Sequence, residues 1–103
     1  MRLKEKLIKE LEVIKGLEQG PSKVAGGIAL FYKNKEIAHF HHDHEIDLRL
    51  TKKIIKLEGL NHFDDSDFHH HRSKTSEWIE LRFKKTADIE SIVRLFELAI
   101  KQY

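Results

Sequence analysis

The chain contains no cysteine. That removes disulfides, thiolate zinc sites and cysteine nucleophiles together. Proline and methionine occur once each and glycine only five times in 103 residues. No phosphate loop of the Walker type, no Gly-x-Ser-x-Gly turn, no internal repeat and no low-complexity linker can be found. The serines at 22, 66, 73, 76 and 91 stand in no recognisable triad context. Long apolar runs are missing too, since none approaches the roughly 18 to 20 residues that cross a bilayer. The opening Met-Arg-Leu-Lys-Glu-Lys lacks the apolar block of a secretion signal. A cytoplasmic protein without a membrane partner is the expectation. Charge of one sign is not in excess either: 19 basic against 17 acidic residues leave a formal +2. This is far from the strongly basic balance of a dedicated nucleic-acid binder, so nucleic acid is not an expected partner. The length suits one domain with one modest core, spanning 1–103.

What is present reads as alternating elements. Leu3, Leu7, Ile8, Leu11, Ile14 and Leu17 recur at three- and four-residue spacing and predict an amphipathic helix, closed by Gly16, Gly20 and Pro21. Two runs rich in β-branched and aromatic residues, 24–32 and 36–41, flank Lys33-Asn34-Lys35 and predict a hairpin. In Glu45 to Leu50, Ile46, Leu48 and Leu50 alternate with Asp47 and Arg49, as in a half-buried third strand. Thr51 is a fitting cap for a short helix that runs to Leu57 or Glu58 and ends at Gly59. Residues 61–77 show neither period and read as one long loop. Trp78 to Phe83 alternates as a fourth strand, and Thr86 or Asp88 opens a last helix carrying Ile89, Ile92, Val93, Phe96, Ala99, Ile100 and Tyr103. The expected fold is α+β in the order α-β-β-β-α-β-α: a four-stranded antiparallel sheet covered on one face by the N- and C-terminal helices. Ile46, Leu48, Ile79, Leu81, Phe83, Ile92 and Phe96 are its expected core.

Chemistry concentrates in two clusters. Residues 36–50 hold four histidines and two aspartates. His39 and His41, two apart on a strand, project from one face about 6.5 to 7 Å apart, close enough to share an ion or a ligand. Asp47 on the next strand is within reach only in one register. A three-residue loop at His42 to His44 sets Asp47 opposite His39, and a two-residue loop sets Leu48 there. On the same face the fourth strand would add Trp78 and Arg82, and the third Arg49. His39, His41, Asp47, Arg49, Trp78 and Arg82 thus form the candidate ligand face. The second cluster, Asp64, Asp65, Asp67, His69, His70 and His71, lies in the long loop. Its histidines, His69, His70 and His71, are candidate ligands for zinc or nickel, with adventitious affinity as the plainer account.

Some of these residues also resemble a known family. Gly26-Gly27-Ile28 entering a hairpin, Glu36-Ile37-Ala38-His39-Phe40-His41 followed by Asp47-Leu48, and Ser76-Glu77-Trp78-Ile79 leading into an amphipathic helix are similar to the small luciferase domain. That domain occurs within fungal luciferases and alone in prokaryotic proteins. The resemblance covers most of residues 20–103, with Ala38 and His42 standing where the family usually has glycine. It implies a fold more than a reaction, and it does not imply light emission.

Three functional readings stay open on these residues. One is a domain binding a small anionic or apolar molecule, with His39, His41 and Arg49 for charge and Trp78 for stacking. The second is an interaction or homodimerisation module using the exposed sheet face, with an ordinary solvated face on which Arg82 pairs with Asp47 or Glu80 across strands as the plainer alternative. The third is a histidine-based or metal-dependent enzyme, with zinc or nickel as the divalent metal. Against all three stands the reading of His39 and His41 as half-exposed sheet residues bonded to their neighbours.

Overall fold

The computed structural model of the protein describes residues 2–22, 27–60 and 77–103. Its elements are α1 (Leu3–Glu12), β1 (Leu17–Pro21), β2 (Ile28–Tyr32), β3 (Lys35–His42), β4 (Glu45–Arg49), α2 (Lys52–Leu57), β5 (Trp78–Arg82) and α3 (Thr86–Ile100). The strands lie side by side in chain order, every neighbouring pair antiparallel. Residues Lys33 and Asn34 turn β2 into β3 with φ of 52° and 66°. Two successive left-handed residues match the twist of the flanking strands, as in a type I′ turn.

The sheet has five strands, one more than the periodicity of the N-terminal segment suggests. Apolar spacing continues through Ile14 and Leu17, but α1 stops at Glu12 and Leu17 is already in β1. Gly16 makes the break with φ of +86°, and a Cβ there would lie 2.9 Å from the Tyr32 ring. Leu17 is buried all the same. Its spacing serves the core from a strand rather than from a helix. Pro21 closes β1 at the sheet edge, where a residue without an N–H costs no ladder bond.

Both long helices pack on one face of the sheet. Leu7 and Leu11 of α1 join Ile89, Ile92, Leu95, Phe96 and Ala99 of α3 in a single core with Leu30, Ala38, Phe40, Ile46, Leu48, Ile79 and Leu81. All seven core residues expected from the sequence are buried. At about 25 cal/mol per Å² of apolar area, this layer is the main source of stability. Thr51 caps α2 as expected, its Oγ1 accepting from the Ile54 N–H at 3.2 Å. Asp88 Oδ2 accepts from the N–H groups of Lys84 and Lys85 at 2.8 and 3.2 Å and fixes the entry to α3. No helix among the described residues is long and apolar enough to cross a membrane.

Candidate functional site

The opposite face of the sheet carries the chemistry. It is not the half-solvated surface that alternation suggests, because Glu45, Asp47 and Glu80 are buried along with His39. Of the polar residues of β4, only Arg49 is exposed. Carboxylates taken out of water cost several kcal/mol each unless partners or ions compensate them. Glu45 has such a partner in Arg82, and Asp47 has two in His39 and His41.

Two irregularities of β3 bring the side chains together. Pairing with β4 runs from Phe40↔Ile46 to His42↔Glu45, so His41 is an extra residue. The turn itself has two residues, Asp43 and His44, which by simple counting would set Leu48 opposite His39. The bulge absorbs the difference, and Asp47 pairs with His39. Pairing with β2 shifts likewise from Leu30↔Ala38 to Phe31↔Glu36, leaving Ile37 as the extra residue. Glu36 and His39, three apart, would lie on opposite faces of a regular strand. The bulge puts both on the same one.

The result is a tight cluster. Asp47 Oδ2 lies 3.3 Å from His39 Nε2 and 2.8 Å from His41 Nε2, with side-chain exposures of 0, 6 and 8 % for Asp47, His39 and His41. The other nitrogen of His39, Nδ1, lies 3.1 Å from Glu36 Oε2, and the Ser22 hydroxyl donates to that same oxygen at 2.9 Å. An ionised carboxylate only accepts, whereas a neutral imidazole carries one N–H. His39, set between two carboxylates, can donate its single N–H to only one of them when neutral. Trp78 lies along the His39 ring, centroids 5.2 Å apart and planes 33° apart, while the His41 ring meets it edge-on at 5.1 Å. One ligand atom from each of His39, His41 and Asp47 can be chosen so that all lie within 4.8 Å of one another.

The expected face is thus brought together only in part. Asp47 pairs across β5 with Glu80, not with an arginine. Arg82 Nε donates to Glu45 Oε1 at 3.2 Å, and exposed Arg49 meets Glu77 at 3.3 Å. Arg49 lines a hollow with Leu50, Thr51, Glu77, Gln102 and Tyr103 that includes neither histidine. Burial pushes the Tyr103 phenol above its ordinary pKa, Glu77 reinforcing and Arg49 opposing the shift. His69, His70 and His71, with Asp64, Asp65 and Asp67, lie outside the described residues. Sequence reasoning placed Glu80 on this face but missed Glu36, Ser22 and Glu45. Alternation could have flagged Glu45, which shares the register of Asp47. Nothing in the residue pattern announces the bulge at Ile37.

Compared with known proteins, residues 34–99 match a family model described as the Luciferase domain, a segment that holds His39, His41, Asp47, Trp78 and Arg82. No curated protein and no solved structure matches the chain.

Proposed function

Since the chain belongs to the luciferase domain family, and membership supplies a fold but no reaction, we propose from the site itself that the domain binds a divalent transition-metal ion through His39, His41 and Asp47. The observation that carries this reading is the meeting of two imidazole Nε2 atoms on one oxygen of a fully buried carboxylate, at 3.3 and 2.8 Å. Ligands about 2.0 to 2.1 Å from a common ion stand roughly 2.9 to 3.4 Å apart at octahedral or tetrahedral angles. Small side-chain adjustments therefore convert these contacts into coordination. Two imidazoles with one carboxylate suit zinc, nickel or cobalt better than magnesium or calcium, which prefer oxygen donors alone.

The electrostatics support a cation over a free anion. Glu36, Asp47 and Glu80 add negative charge to this face, whereas Arg49 and Arg82 already meet carboxylates. A small anionic molecule is accordingly read as a further ligand of the bound ion, since three protein donors leave coordination positions open. Trp78, partly exposed beside His39, offers it a flat apolar neighbour.

Zinc titration of chelator-stripped, untagged protein by calorimetry tests the reading. In a His69→Ala, His70→Ala, His71→Ala background, one equivalent of zinc should still bind, and adding His41→Ala should abolish it. Binding that disappears with the loop histidines and ignores His41→Ala would overturn the proposal.

A further inference from the structure

We infer that Glu36, steadied by Ser22, is the positioning residue of this site: it takes the Nδ1–H of His39 and so turns the Nε2 lone pair of that ring toward Asp47 and His41 as a metal ligand. The inference rests on the metal reading above and adds to it a residue that donates no ligand atom.

The geometry separates the two roles. Glu36 Oε2 stands 3.1 Å from Nδ1, while Asp47 Oδ2 stands 3.3 Å from Nε2. The imidazole ring lies between the two carboxylates, so Glu36 cannot reach an ion held at Nε2, and it is not among the three residues whose ligand atoms converge. What it can do is choose the tautomer. With Nδ1 donating to Glu36, the proton of the neutral ring is on the far side from the ion, and Nε2 is left as the donor atom. Metal-bound histidines are commonly held by a carboxylate in this way, which fixes ring orientation and raises ligand basicity.

The backbone is shaped to allow it. Three residues apart on an unbroken strand, Glu36 would point toward the apolar core beside Leu30 and Ala38, where a carboxylate has no place. The extra residue at Ile37 lets Ile37 and Ala38 both stay in the core while Glu36 emerges on the histidine face. Bulges recur beside functional sites because they re-aim single side chains. Ser22, the residue after β1 and fourteen residues away in sequence, donates to the same oxygen that faces His39 and restricts the rotamers of Glu36. A hydroxyl from outside β3 on this oxygen is a second, independent hold on its position.

The test compares zinc affinity, by competition against a chromophoric chelator, in the wild type and in Glu36→Gln, Glu36→Ala and Ser22→Ala, with ¹⁵N NMR of the His39 ring in the zinc-bound state. We expect the wild-type ring to carry its proton on Nδ1. Affinity should fall about 10- to 100-fold in Glu36→Ala, as for other outer carboxylates. It should fall less in Glu36→Gln, which keeps an acceptor, and least in Ser22→Ala, with one equivalent bound throughout. If Glu36→Ala does not fold, the Glu36→Gln arm decides. Wild-type binding at one equivalent that neither Glu36 variant weakens beyond about threefold, well short of the usual loss, would overturn this inference and leave the metal reading intact. Absence of one-equivalent binding in the wild type would overturn both.

Discussion

At the scale of single residues, His39 carries most of the argument, because it touches every other member of the site. Asp47 lies against one of its nitrogens, Glu36 against the other, and Trp78 covers its ring. Both histidines are nearly inaccessible to solvent, so they belong to the fold as well as to any ligand. Changing His39→Ala together with His41→Ala removes two imidazole partners from a fully buried carboxylate. The expected cost is on the order of 1 to 3 kcal/mol for each buried group so orphaned, read as a lower urea midpoint. A midpoint unchanged from the wild type would place both rings outside the stabilising network. Period-two alternation was enough to put His39 and His41 on one face, whereas the meeting with Asp47 depended on the register of the turn. Their burial was not legible, because Glu45, Asp47 and Glu80 alternate with apolar residues as they would on a wet surface. Glu36 was hidden for a different reason: its partnership with His39 depends on an inserted residue, and Ile37 has the same composition signal whether it is bulged or regular.

At the scale of elements, the long periodic segments were the readable ones. The last helix, the capped short helix and the alternating strands β4 and β5 follow their patterns closely, since each buries one continuous apolar stripe. The N-terminal segment misleads because Leu11, Ile14 and Leu17 keep helical spacing after the helix has ended. Gly16 decides the matter through its backbone. Replacing Gly16→Ala forces a Cβ into the Tyr32 ring at a φ that L-residues rarely adopt. A loss of about 1 to 3 kcal/mol is expected, measured by chemical denaturation. An unaffected midpoint would mean that β1 is not held against β2 through this turn. The β3–β4 hairpin shows the same dependence on detail. Counting loop residues gives two registers and two different sites, while the bulge at His41 restores the productive pairing despite the shorter turn.

For the molecule as a whole, one sheet separates two kinds of stabilisation. Its helix-covered face is apolar and gains from burial; its other face collects carboxylates and imidazoles that are costly to bury without compensation. A fold that only needed stability could replace such a face with packed apolar residues at little loss. Retaining it is coherent if an ion supplies the compensating charge, in which case metal binding to the folded state also stabilises it by mass action. The absence of cysteine fits the same account, since a site of two imidazoles and one carboxylate needs no thiolate. The most direct test is anomalous diffraction from crystals of the chelator-stripped protein soaked in cobalt(II) or zinc. The account predicts one strong anomalous peak within about 2.0 to 2.3 Å of His39 Nε2, His41 Nε2 and an Asp47 oxygen. A peak confined to His69, His70 and His71, with none between β3 and β4, would contradict it.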